Sequence, residues 1–579
     1  MRALRTTRKG YLNGLSGPVL LIGLLGVVVW VHAGDLDPPP GPIAPTMKTL
    51  DEVEARTPVQ ALPGDGGALH VISEPGSYYL TSAITGEAGK DGIRIGASDV
   101  HLDLNGFALL GVAGSGNGIR VESTGGDDTE IKGLVIRNGV VRGWGGDGVL
   151  IVRLVEPGRT RIATDDVGWG AAGGAEEGLP PGVEHPRANP GMGGRGFRGM
   201  DVLFGLVIAD NGDHGLVAGD YVHLEEVSLV NNAGSGAVLG SYTHIEEVSF
   251  TGNGGVGLEA ESHIHMEEVS FNGNGGGGAL VETYYHMEQV SFIYNGGIGL
   301  LGQDHGRIRE SDFLFNIGDG AVLGIHIGME EVSFCYNGGD GLRNETYRHM
   351  EQVWFVGNTE SGSVAGANCT GRWCVAAGNG GDGLVLGPGS VLEEVLSVGN
   401  GGHGVMAQNQ GARMMTNVDA YGTTCSGNGG SGFVGEGACN LRSCIATENT
   451  GDGIDVAAGS RVQGCSAHGN GNNGIEVSDN CHVVGNVAQA NGETGPHAGI
   501  QVTGSHNRVE GNDATDNNNV GISVADAGNV VIRNCCAGNQ VNFSIVVGNI
   551  SGSVTTPKMG GTDGRGGGAD YGNVNFDLP

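Results

Sequence analysis

The sequence predicts an all-β protein, a right-handed parallel β-helix (solenoid) of about twenty turns with a 21-residue repeat and three short strands per turn. Three observations carry that prediction. The stretch THIEEVSFTGNGGVGLEAESHIHMEEVSFNGNGGGGAL, Thr243 to Leu280, makes nearly the same statement twice in 21-residue units. Gly accounts for 115 of 579 residues and aromatics for only 5%, too few large side chains for a compact globular core. The 39% hydrophobic residues nevertheless recur in register, which argues against disorder. Collagen is excluded because Gly does not fall at every third position and Pro numbers only 18.

The repeat is anchored on Asn. Asn211, Asn232, Asn253, Asn274, Asn295, Asn316, Asn337, Asn358, Asn379 and Asn400 are spaced by 21; after a seven-residue insertion, Asn428, Asn449, Asn470, Asn491 and Asn512 resume the period. Four residues after most anchors stands a Gly, as at Gly215, Gly236, Gly257, Gly278 and Gly299. Gly and Asn both tolerate the positive φ of a sharp corner, which predicts a corner there. A first strand follows, with apolar residues inward and acids outward, as in Ile454-Asp455-Val456 and Ile475-Glu476-Val477. A second puts Ile245 inside and His244 and Glu246 outside, and a third puts Val248 and Phe250 inside. Hexapeptide, leucine-rich and calcium-binding nonapeptide frames are absent, which leaves the right-handed helix. Stacked at the interstrand spacing, about twenty turns make a rod of roughly 90 Å.

The ends and loops complete the division. Residues 1–33 read as a signal peptide: Arg2, Arg5, Arg8 and Lys9, an apolar run from Leu15 to Val31, and small residues before Gly34. The rival is an uncleaved N-terminal anchor. Residues 34–48 form a Pro-rich spacer, residues 49–547 the β-helix, and residues 548–579 a Gly-rich tail or cap. Thr49-Leu50-Asp51-Glu52 fits a capping box, predicting a short helix over Thr49 to Ala61. A Gly/Pro-rich insertion, 153–200, is too long for one turn. Removing the leader takes four positive charges from −34, giving −38. A surface that acidic repels nucleic acid and anionic lipid. With the leader cleaved, no membrane span remains. The ten cysteines lie between Cys335 and Cys536 and the register points them inward; Cys444 and Cys465, one repeat apart, are close enough to bond or to remain buried thiols.

Three stretches carry a family resemblance: Glu74-Pro-Gly-Ser-Tyr-Tyr-Leu80, Val100-His-Leu-Asp-Leu-Asn-Gly-Phe107 and Val140-Val-Arg-Gly-Trp-Gly-Gly-Asp-Gly148. With the repeats they cover most of Thr49 to Asn549, and there the chain resembles bacterial secreted right-handed parallel β-helix repeat proteins of the pectate-lyase-like superfamily. Many members have no assigned activity, so the resemblance implies the fold and export rather than a chemistry.

Equivalent positions stack into columns, each a feature of the surface. The Asn column is read as a structural ladder of side-chain amides. A second column pairs His223/Glu225, His244/Glu246, His265/Glu267, His286/Glu288 and His349/Glu351, two residues apart and on one outward face. Corner carboxylates follow at Glu226, Glu247, Glu268, Glu331 and Glu394. Such stacked acids need neutralising, either by the imidazoles with Arg309 and Arg372, or by a row of divalent-metal sites. Calcium or another divalent cation is the cofactor those sites would take, and nothing in the sequence requires one. A third column, outward on the first strand, is apolar at Val217, Val238, Leu280, Leu301, Val322, Val364, Val385 and Met406, interrupted by Glu259 and Arg343. A stripe of that kind suits a protein surface, a glycan, or cover by the 153–200 insertion.

No complete enzyme motif is present. A lyase needs clustered Asp and a basic group, yet Lys9, Lys48, Lys90, Lys132 and Lys558 are the only lysines. Asp127-Asp128 and Gly402-His403-Gly404 lie about ten turns apart, too far for paired-carboxylate hydrolysis. Asp165, Asp166, His185, Arg187 and Arg195 in the insertion are the remaining catalytic candidates, since loops on a rigid scaffold carry function. The expectations are therefore an exported scaffold contacting glycans or surface proteins, a polysaccharide lyase or hydrolase with its site near the insertion, or a metal-binding rod. The sequence leaves the oligomeric state open.

Overall fold

The computed structural model describes residues 56–122, 131–152, 200–408, 418–493, 495–555 and 575–578. The chain divides into two units, Met1–Ala55 and Arg56–Pro579, and every described residue belongs to the second. That unit is a parallel β-helix. First strands form one ladder of twenty, from Ala68–Ile72 to Val541–Ile545, and second and third strands share a 38-stranded sheet. Adjacent turns pair in register, for example His223 with His244, Leu224 with Ile245 and Glu225 with Glu246. In turns such as Ile327–Cys335 the second and third strands run on as one bent strand.

The core follows from alternation along each strand. Third strands send Phe250, Phe271, Phe292, Phe313, Phe334 and Phe355 inward, fully buried and stacked at 4.7–5.3 Å. A parallel register places identical rings one interstrand spacing apart, so a single repeat position builds a continuous aromatic column.

The Asn ladder is present and fills its hydrogen-bonding capacity. Asn316 Nδ2 donates to Asn337 Oδ1 at 3.0 Å and to the Phe292 carbonyl at 3.0 Å. Asn316 Oδ1 accepts from the backbone N–H of Asn295 at 3.2 Å and from Asn295 Nδ2 at 2.9 Å. Trp144 occupies the rung before Asn211: its N–H donates to Asn211 Oδ1, while its indole Nε1 donates to the Leu109 carbonyl. The ladder thus ends on a residue that keeps one donor inside and fills the rest of the space with ring.

Four expectations about the fold are corrected. First, neither the ladder Asn residues nor the Gly four positions later adopt positive φ. The left-handed residue is the one just before each Asn, such as Asp210, Asn231, Gly252 or Tyr294. The later Gly is required by close approach: a Cβ on Gly320 would sit 2.4 Å from the Gly341 carbonyl and 2.8 Å from Asn337 Nδ2. Second, Asn512 is not the rung after Asn491. That rung is Asn517, 26 residues on, because the loop after Asn491 is five residues longer. Asn512 belongs to another ladder, Asn486–Asn512–Asn534–Asn575, at the corner between second and third strands. Its last rung lies in Asn575–Leu578, which pairs with Cys535–Ala537 and so extends the sheet.

Third, the described part of the proposed Thr49–Ala61 helix is strand Arg56–Pro58, paired with Gly76–Tyr79, followed by one 3-10 turn at Val59–Ala61. Ladder hydrogen bonds to the next turn outweigh the local capping pattern. Fourth, Cys335 and Cys535 face outward and are half-buried, since Phe334 and Cys536 take the inward positions beside them. The other eight cysteines are buried free thiols; Cys444 and Cys465 hydrogen-bond side chain to side chain.

Candidate functional site

The outward face of the second strands carries four parallel columns over the turns from Tyr221 to Glu351. At the corner before the strand stand Tyr221, Tyr242, His263, Tyr284, His305, His326 and Tyr347. Their rings stack at 4.6–5.1 Å. The four tyrosines are 46–50% exposed. Two residues on comes the His column, then the Glu column, then the corner acids Glu226, Glu247, Glu268, Glu310 and Glu331, themselves at positive φ.

Sequence reasoning missed the ring column, although a Tyr recurring two residues before His was visible. All seven residues adopt left-handed backbone, φ 55–63°. Bulky L-residues rarely do so, and other turns place Gly389, Gly459 and Gly528 at the same corner. The geometry of the corner is thus met by glycine, and a ring there costs about 1 kcal/mol each that only stacking or binding can offset.

His223, His244, His265 and His286 stack at 4.8–5.0 Å, within 7° of parallel. Each Nε2 faces the glutamate of its own strand: His223 lies 3.4 Å from Glu225, His244 3.5 Å from Glu246, His265 3.9 Å from Glu267 and His286 3.6 Å from Glu288. Arg309 lies 3.0 Å from Glu330 and Arg372 2.7 Å from Glu393, neutralising acids where the column changes type.

The candidate divalent-metal pairs His223/Glu225, His244/Glu246, His265/Glu267 and His286/Glu288 all lie on this face as side-by-side pairs. Residues two apart on a strand stand side by side, and the parallel register stacks Glu246, Glu267 and Glu288 above one another along the face. Each imidazole has the glutamate of its own strand within 4.0 Å, with the glutamates of adjacent turns acting on His244 and His265 from further off. Among the described residues no group of three or more His, Cys, Asp or Glu is arranged to hold a metal ion. Glu267 and Glu288 are partners of His265 and His286 in the stack, which is the neutralising arrangement weighed against the metal row.

Burial pushes His244, His265 and His286 below the usual imidazole value of 6.5, and the neighbouring imidazole pushes the same way; their glutamates oppose both. A depressed folded-state value favours the neutral ring, so the stack's contribution is fully present above pH 6.5 and is lost as pH falls through the folded values. Denaturation midpoints at pH 7.5 and 5.5 test this. The native chain should lose more stability across that interval than the His244→Gln/His265→Gln variant, and equal losses would refute it.

The apolar first-strand column meets less water than a bare stripe would. Val217, Val238, Leu280, Leu301, Val322, Val364 and Met406 are half-buried and Val385 is only 4% exposed, because adjacent rungs shade one another. Its two polar members have partners: Glu259 accepts from Ser235 Oγ at 2.7 Å, and Arg343 lies 3.0 Å from Asp340 and 3.5 Å from Asp319. His403 serves the framework, its N–H donating to Asp382 and its Nδ1 accepting from Ser431 N–H. Asp165, Asp166, His185, Arg187, Arg195, Asp127 and Asp128 lie outside the described residues.

The strand pairing defines the chain as a parallel β-helix protein. A family model described as periplasmic copper-binding protein (NosD) matches residues 357–574, less than half of the chain. No curated protein sequence matches. Among solved structures, the A-module of mannuronan C-5 epimerase AlgE6 from Azotobacter vinelandii is 16% identical, over 66% of this chain and 90% of that one, with a TM-score of 0.20. The AlgE4 A-module from the same organism is 14% identical, over 85% and 99%, at 0.19. The Dettilon tailspike protein is 12% identical, over 54% and 60%, at 0.28. At such scores none of them bears on the chemistry of this chain.

Proposed function

We propose that the chain is an exported, non-catalytic binding rod whose second-strand face holds a linear glycan laid along the axis. The observation that carries this reading is the column of seven rings at corners where glycine would serve. Because the rings stack plane to plane, they offer hydroxyl and imidazole edges rather than faces. Those edges repeat every 4.6–5.1 Å beside parallel rows of imidazole and carboxylate. A polymer of hydroxyl-bearing rings can hydrogen-bond to such a comb over several turns, each contact weak and the sum substantial. The outer plane of Tyr347, beyond which the next corner residue is Asn368, is the place for an apolar sugar face.

Export is supported by the N-terminal basic and apolar pattern and by the periplasmic description of the matched family. No helix of the described residues is long and apolar enough to cross a membrane. The copper-binding description attaches to 357–574 and gives no support to a metal row at 223–288, since every His/Glu pair precedes that span.

The test uses Tyr242→Gly and Tyr284→Gly, which install the residue other turns already use and so leave the corner intact. Affinity for the polysaccharide found by screening neutral and acidic glycans should fall by about tenfold or more in the double variant, a loss of about 1.4 kcal/mol, with stability unchanged or raised. Unchanged affinity would remove the comb from the account.

A further inference from the structure

The histidine column has one gap, and the gap has the form of a site. After His286 the outward residue becomes Arg307, then Gly328, and His349 resumes the column. The missing side chain leaves a depression of about 470 Å³, floored by Gly328 and lined by Arg307, Arg309, Glu330, His349 and Glu351. A Cβ on Gly328 would meet nothing within 4 Å, so the space is open and no neighbour has collapsed into it.

The two arginines and two glutamates around the gap balance in number but are unevenly paired. Arg309 sits against Glu330 at 3.0 Å, and His349 lies 3.8 Å from Glu351. Arg307 is exposed, and among the described residues no carboxylate lies within 4.0 Å of its guanidinium. The stacked imidazoles below it are held towards their neutral form by burial. Arg307 is therefore the fixed cation of the lining that forms no ion pair among the described residues, on a chain whose net charge is −34. It stands two interstrand spacings from His349, about 10 Å, which admits one pyranose ring between them. On the same turns the comb places His326 and Tyr347 two residues before Gly328 and His349, stacked at 5.1 Å.

We infer that the gap over Gly328 is an anion subsite of the glycan face, taking a carboxylate or sulfate substituent of one sugar residue against Arg307. This rests on the glycan reading above and adds the charge class of the ligand. A planar guanidinium free of other partners can take a carboxylate or sulfate through two parallel N–H donors, while ring hydroxyls reach His326, Tyr347 and Glu330.

The test measures binding of three defined oligosaccharides to the full chain: an oligogalacturonate, the same oligomer with its carboxyls reduced, and a sulfated oligosaccharide of equal length. Two variants accompany the native chain. Arg307→Gln removes the charge, and Gly328→His fills the gap with the residue the column uses elsewhere, at a position where an added Cβ meets nothing within 4 Å. The native chain should prefer at least one anionic oligomer over the neutral one by about tenfold, and each variant should bring that preference to within about twofold. The two anionic arms separate carboxylate from sulfate. If the variants keep the preference, or the native chain has none, the subsite is refuted. Neutral oligomer still bound through Tyr242 and Tyr284 would in that case leave the glycan face standing. If no oligosaccharide binds, both fall.

Discussion

Replacing Asn316 with Ala should accelerate amide exchange over residues 290–340 by about a thousandfold, corresponding to about 4 kcal/mol. The substitution removes four side-chain hydrogen bonds in a fully buried column: the Asn295 N–H loses its acceptor, the Phe292 carbonyl loses the ladder amide, and Asn295 Nδ2 and Asn337 Oδ1 each keep one of two partners, the Phe271 carbonyl and the backbone N–H of residue 316. Burying such groups unsatisfied costs far more than a surface hydrogen bond contributes. The effect should stay local, because each turn of a solenoid contacts chiefly its neighbours. Asn316→Asp sharpens the argument. Its carboxylate still accepts from Asn295 but cannot donate to Phe292 or Asn337, and burial raises its pKa above the unfolded value. The charged form is then penalised at pH 7, and the variant should recover stability relative to the native chain as pH falls and the carboxyl gains a proton. Exchange rates at Asn316→Ala that match the native chain would show the ladder to be ornamental.

Gly320→Ala should be nearly as damaging, by about 3 kcal/mol, though it adds only a methyl group. That methyl meets three groups fixed for other reasons: the Gly341 carbonyl, the ladder amide of Asn337, and Phe334 of the stacked ring column at 2.9 Å. None is the free end of a flexible chain, so the strand must move. Gly328→Ala is the matched control, because its methyl points into open space. It should be neutral or stabilising by about 0.5 kcal/mol through the unfolded state alone. Comparable losses at the two positions would mean that close approach between turns is not what excludes side chains at Gly320.

The contrast between these glycines shows what could be read from the chain and what could not. Both columns, Asn and Gly, are legible as a 21-residue period, and so is the outward pairing of His with Glu, which follows from alternation along a strand. Whether His265 and Glu267, or His286 and Glu288, share a third ligand was not legible, because convergence depends on the shape of the face and not on spacing along the strand. The reason for the glycines was hidden in the same way, since the distance from a Cβ to the carbonyl one turn away depends on stacking rather than on local conformation. Asn512 looked like a rung because it stands 21 residues after Asn491, whereas a five-residue longer loop had shifted the register and placed it in a neighbouring ladder. The ring column escaped notice for a different reason: left-handed corners lead one to expect Gly or Asn, and tyrosine there runs against the rule. It is the place where local preference is most plainly overridden, and for that reason the face on which the functional proposal rests.

Incubating the chain from Gly34 onward with labelled neutral and acidic polysaccharides, then separating the mixture by size with and without chelator, tests the central claim most directly. The account predicts that polymer co-elutes with protein at its original length and that chelator changes nothing. Shortened polymer would contradict it and make the chain an enzyme.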